Sequence, residues 1–300
     1  MTNKNETGGP PQRLSKLMDA QEEIENNLWG RRPMMFNHSV LCSVSLPIRN
    51  PHSDVYEKES GAVSLLLEAG RVRTTDGWRK FGLPYGPRAR LILISLVSES
   101  IKNDSRTLST RNSFTRFAKD LGLSVGGYQL RSLREQMTRM ASVQMKIARE
   151  YEEHIDVFQG HLFDGMRLEM PSDAYQMTMF PSVVSFSEQF FQSCKRAAVP
   201  LDARAIRALS SSARDLDIYM WLAHRLHRIK GKPVNVKWTS LRFQFASSKA
   251  HMGNFKRDWT NSLKRVLMVY PQAKVEITDY GCRLYASPPP IPKKGSKLII

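Results

Sequence analysis

The chain has 300 residues and a mass of 34.3 kDa, room for two domains of ordinary size. Its 41% hydrophobic and 9% aromatic residues can fill real cores, which excludes wholesale disorder. No apolar run approaches the roughly 18 residues of a membrane span, and the opening forty residues lack the apolar stretch of a secretory signal. Cys42, Cys194 and Cys282 are odd in number and widely spaced. They exclude a disulfide scaffold or a standard zinc motif and fit a reducing, cytoplasmic setting. Net charge is +17. Residues 201–300 hold 19 Lys and Arg against 6 Asp and Glu, a surplus of 13, whereas each preceding hundred has a surplus of 2. Such a concentrated field attracts polyanions, and nucleic acid is the expected partner rather than a membrane.

Residues 1–12 read as a polar tail. Leu14, Leu17, Ile24 and Leu28 then fall on a helical stripe, too short for a coiled coil. Apolar runs between His38 and Leu46 and between Ala62 and Leu67 predict strands, with RNPHSD and EKESG as loops.

Pro87 opens a predicted helix whose Ala89, Ile92, Leu93, Leu96, Val97 and Ile101 share one face. An extended piece, Arg106–Leu108, follows. Ser109 or Thr110 then caps a helix holding Phe114, Phe117 and Leu121. After the LGLSVGG turn comes a helix over Tyr128–Met140 with Leu130, Leu133, Met137 and Met140 inward. Alternation at Val143, Met145 and Ile147, and again near Ile155 and Val157, predicts a hairpin. Helix, strand, helix, turn, helix and ribbon is the order of a winged helix.

The same order returns. Ala213–Ile229 forms a helix ended by Gly231-Lys232-Pro233, and VNVKW a short strand. Thr239 or Ser240 opens a helix with Leu241, Phe243 and Phe245, and Asn254–Tyr270 forms a long helix. VEIT, DYG and CRLY make a hairpin that the Pro288–Pro290 block terminates. The expected fold is α+β and helix-rich, with two tandem winged-helix units. Residues 1–35 would be a tail and short helix, 36–170 the first unit, 171–290 the second, basic unit, and 291–300 a loose tail.

The helix Asn254–Tyr270 carries the case for double-stranded DNA. Its Phe255, Trp259, Leu263 and Val266 face the core, leaving Lys256, Arg257, Thr260, Asn261 and Lys264 for a major groove. Four cations on it, including Arg265, stand against one acid, Asp258. Lys237, Arg242, Lys249, Lys274 and Arg283 are the candidate phosphate contacts. In the first unit the ribbon carries Glu150, Glu152, Glu153 and Asp156, which would repel phosphate. Arg131, Arg134 and Arg139 of its preceding helix remain candidates, and this half is expected to supply a protein contact, a homodimer among the alternatives.

Enzyme chemistry has little to stand on. There is no P-loop pattern, no His-x-His pair and no paired carboxylates, so no catalytic site, cofactor or metal is expected. His224 and His227 have a ligand spacing, but Arg225, Arg228 and Lys230 beside them would repel a cation. Cys194 and Cys282 read as small core residues.

The stretches GLPYGPRARLILISL, SFTRFAKDLGLSVGG with LREQMTRM, and VPLDARAIRALSSSARDLDIYMWLAHRL resemble the RepA-type plasmid replication initiators. So does the block from FKRDWTNSLKRVL to YPQAKVEITDYGCRLYASPPP, in the same order, so the resemblance covers roughly residues 60–290. It implies a non-enzymatic, bacterial, DNA-associated initiator that binds repeats at a plasmid origin and recruits the host initiator and replicative helicase. It also implies tandem winged helices and switching between dimers and monomers. A winged-helix transcriptional regulator without origin-opening activity is the alternative.

Overall fold

The computed structural model describes residues 12–26, 32–109, 118–119, 126–150, 152–169, 180–246 and 250–292. Helices and antiparallel sheets alternate along it, the α+β mixture expected. Helix α1 (Gln12–Asn26) turns Leu17, Ala20 and Ile24 inward, while Leu14 is exposed; Leu28 lies outside the described residues. Strand β1 (Met34–His38) runs into the short helix α2 (Ser39–Ser43). The strand expected between His38 and Leu46 is therefore corrected to a helix and its flanks. The His38 side chain caps it, Nδ1 accepting from Val40 N at 3.2 Å. Val40, Leu41 and Cys42 are buried together, so the run carries no period to separate helix from strand.

Strand β2 (Val55–Ser60) pairs with β3 (Val63–Glu68). EKESG is thus strand and turn rather than loop; β2 is the sheet edge, where alternate side chains meet solvent. A separate ribbon, β4 (Arg71–Thr74) and β5 (Gly77–Lys80), precedes helix α3 (Gly86–Asn103). Pro87 occupies the first turn of α3, and Asp104 ends it in the left-handed region at φ 48°. Strand β6 (Thr107–Ser109) follows, then α4 (Gly127–Ser142) with Leu133, Met137 and Met140 buried. Thr110 and the expected helix through Phe114, Phe117 and Leu121 fall outside the described residues.

Strands β7 (Gln144–Glu150) and β8 (Ile155–His161) form the expected hairpin, but it joins β3, giving the order β2-β3-β7-β8. Leu65 and Leu67 of β3 and Met145 of β7 bury the face they share. The short strand β6 pairs instead with β10 (Phe180–Phe186), which also pairs with β9 (Phe163–Glu169). A sheet therefore runs across residue 170.

Beyond it lie α5 (Glu188–Ala197), β11 (Ala198–Asp202), α6 (Ala203–Leu209) and α7 (Ala213–Arg225), the last extended by a 3-10 turn, Leu226–Arg228. Ser187, Asp202 and Ser212 cap α5, α6 and α7 by accepting from Phe190, Arg204 and Asp215 N–H groups. Strand β12 (Val234–Lys237), helices α8 (Trp238–Phe245) and α9 (Met252–Met268), and strands β13 (Val275–Thr278) and β14 (Gly281–Leu284) complete the order.

The halves are joined through one core. β1 pairs with β11, α2 and α3 pack on α7, and α1 packs on α6 and α9. Two ion pairs are sealed in it: Arg90 with Asp217, and Arg204 with Asp202. Burial pushes the Asp217 carboxyl above its ordinary value, against the pull of Arg90.

Candidate nucleic-acid interface

Helix α9 is amphipathic. Phe255, Trp259, Leu263 and Val266 are buried, and Asn254, Arg257, Asn261 and Lys264 are exposed. Spacings of three, four and three place those four side chains in one stripe. Lys256 and Thr260 are half-buried beside it, with Lys256 Nζ 5.6 Å from the Trp238 ring centroid. The fourth cation, Arg265, turns inward. Its Nε and Nη2 donate to Asp215 at 2.7 and 2.9 Å. Burial alone would push the Asp215 carboxyl up, but hydrogen bonds from Arg265 and Ser262 and the charge of Arg13 hold it below its ordinary value. Asp258, the one acid, is held 3.5 Å from both Arg214 and Arg257.

Beside this helix, three strands take the order β12-β14-β13, so the short strand before α8 pairs with the second strand of the hairpin. Trp238 locks the arrangement. Its ring meets Phe255 and Trp259 edge-on, its Nε1 donates to Thr278 O at 3.3 Å, and its backbone N–H donates to Tyr280 O at 2.9 Å. Gly281 makes the approach possible, since a Cβ there would stand 1.9 Å from Val236 O. Between hairpin and helix lies an open groove of about 690 Å³ that brings together Lys237, Lys256 and Arg283 with Thr239 and Tyr280.

The remaining candidates divide. Lys237 and Lys274 are exposed. Arg283 is partly engaged, donating to Asn235 at 3.1 Å and standing 3.5 Å from Glu276. Arg242 donates to Ala250 O at 3.0 Å, tying α8 to the approach to α9; Lys249 lies outside the described residues. In the first half Arg131 is exposed and Arg134 half-buried on α4. Arg139, the third candidate there, is engaged within the protein. It donates to Glu135 at 2.6 and 3.1 Å and to Leu83 O at 3.1 Å, and its side chain is 11% exposed. Glu150, Glu152 and Glu153 are exposed around the β7–β8 turn.

Tyr280 was not among the DNA-contact candidates in the sequence. It is 86% exposed at the tip of β13–β14. An aromatic inside the DYG turn was its only signal. Among the described residues no group of His, Cys, Asp and Glu is arranged to hold a metal ion. His224 is buried beside Ser43, while His227 lies on the surface against Ala223 O. Cys194 and Cys282 are core residues, their thiols pushed up to about 12 by burial.

The fold is similar to that of a solved pair of protein domains. Selenomethionine crystals of domains 2 and 3 of RctB match with a TM-score of 0.54 and 10% identity, over 83% of this chain and 98% of that one. A second structure of RctB domains 2–3 gives 0.47 and 11% identity, over 79% and 83%. No curated protein matches the chain in sequence. The family described as plasmid encoded RepA protein matches residues 83–240, and the chain belongs to that plasmid replication initiator family. The match ends at Ser240, ahead of α9 and the β13–β14 hairpin.

Proposed function

We propose that the chain is a non-enzymatic initiator that binds repeated sequences in duplex DNA at a plasmid origin and recruits the host initiator and replicative helicase. In this reading Ala213–Leu284 acts as a winged helix. The exposed stripe of α9 enters the major groove, and the β13–β14 hairpin lies along the adjacent backbone. One observation carries it: α9 buries its aromatic face against Trp238 and Phe245 of α8, which in turn packs on β12 and β14, and leaves Asn254, Arg257, Asn261 and Lys264 outward. Arg and Asn are the residue types that make bidentate contacts to guanine and adenine edges. Membership of the plasmid-encoded RepA family supports an initiator over a regulator.

Footprinting of the full chain on origin DNA tests the reading. Repeated protected segments, with distortion of the adjacent duplex, are expected. Protection without any opening would make the protein a regulator, and metal-dependent nicking would make it an enzyme. Loss of protection on Arg257→Ala but not on Arg131→Ala would assign the contact to α9.

A further inference from the structure

The ribbon β4–β5 belongs to no larger sheet and carries an unusual face. Its register sets Arg71 opposite Lys80 and Arg73 opposite Trp78. Residues paired directly across an antiparallel ladder share a face, so Arg71, Arg73, Trp78 and Lys80 stand on one side. All four are exposed, Trp78 at 64%. Val72 and Thr74 point the other way and are buried, which fixes which side meets solvent. Arg79, opposite Val72, rests 5.7 Å from the Phe81 ring centroid. The ribbon is held by a two-residue turn, with Thr74 Oγ1 donating to Gly77 O at 2.9 Å and Gly77 at φ 116°.

A lone exposed apolar side chain needs no explanation. An indole set among three cations on one ribbon face does. The one acid in the ribbon, Asp76, sits in the turn, and Lys80 shares a surface ion pair with Asp54 at 2.8 Å. Such a pair contributes little and exchanges readily for a phosphate. Cations that track a backbone around an aromatic platform are the elements that hold unpaired nucleotides, because every base has a face to stack. In duplex DNA those faces are already stacked and out of reach.

We infer that the outer face of β4–β5 binds single-stranded nucleic acid, a base stacking on Trp78 and flanking phosphates meeting Arg71, Arg73 and Lys80. This contact is independent of the duplex contact assigned to α9.

Full-length protein is titrated against fluorescein-labelled oligothymidine and against labelled origin duplex. Trp78→Ala is expected to weaken oligothymidine binding roughly tenfold and leave duplex binding unchanged. Arg257→Ala should do the reverse. Trp78→Phe should recover most of the single-strand affinity but lose the quenching of tryptophan emission that oligothymidine produces in the parent. Unchanged circular dichroism keeps misfolding apart from lost binding. Three results overturn the inference: no oligothymidine binding by the parent protein, equal binding by Trp78→Ala, or an equal loss on both probes, which makes the ribbon a duplex phosphate contact.

Discussion

Arg90 places all five of its N–H groups, two of them on the buried carboxylate of Asp217. Nε and Nη2 reach Asp217 at 2.6 and 2.7 Å, and the others reach the carbonyls of Leu46, Pro47 and Gly86. Both side chains are under 4% exposed, and the pair bolts α3 to α7. Removing one partner strands the other charge away from water. Arg90→Met is expected to cost about 3–5 kcal/mol, and Arg90→Met with Asp217→Leu to recover much of that loss. Urea denaturation measures both; equal losses in the single and double variants would contradict the account.

On α9 the stripe and the inward cation should separate cleanly. Arg257→Ala and Asn261→Ala are each expected to cost about 1–3 kcal/mol of specific binding and relax base preference at one position. Arg265→Ala should lower thermal stability, because it removes the bidentate partner of Asp215. Binding measured on cognate and scrambled duplexes distinguishes them. An equal loss on both duplexes for Arg257→Ala would place it outside the groove.

Phosphate contacts have a different signature. With roughly six to ten of them, affinity should fall about a thousandfold or more between 50 and 200 mM salt. Lys237→Ala or Lys274→Ala should weaken every sequence alike and flatten the logarithmic salt slope by about one. Arg139→Ala should leave the slope alone, since its guanidinium is occupied by Glu135 and Leu83.

Much of this was legible in residue order. The strict spacing of Phe255, Trp259, Leu263 and Val266 gives α9 its face, and DYG gives the hairpin its turn. What periodicity could not supply was partner choice. Met145 and Ile147 announce a strand but not that Leu65 and Leu67 are its neighbours, eighty residues away in the chain. Arg139 and Arg265 have the same composition signal as Arg257; only the positions of Glu135 and Asp215 turn them inward. Trp78 lay in a short polar segment with too few apolar residues to mark a strand pair. Its face is defined by register alone.

Two buried histidines weaken the fold in acid. Burial holds His38 and His224 down to about 4 from an ordinary value near 6.5. His38 Nδ1 accepts from Val40 and Nε2 meets Ser193 Oγ at 2.9 Å, which leaves Nδ1 no room for a proton. Between pH 6.5 and 4 the unfolded chain binds protons that the folded one refuses, so stability falls as pH falls. Each histidine accounts for at most about 3 kcal/mol. Denaturation midpoints at pH 7 and pH 4.5 should differ, and the difference should shrink in His224→Asn. An identical shift in that variant would exclude His224 as a source.

The pairing of Met34–His38 with Ala198–Asp202 has a consequence for how such proteins diversify. A recombination event that exchanged only the segment from Ala198 onward between plasmids would import a strand without its mate, and Asp215 and Asp217 without Arg13 and Arg90. Viable chimeras must therefore inherit these distant residues together. On the reading proposed above, new origin preferences arise through changes along the outer stripe of α9 rather than by shuffling halves.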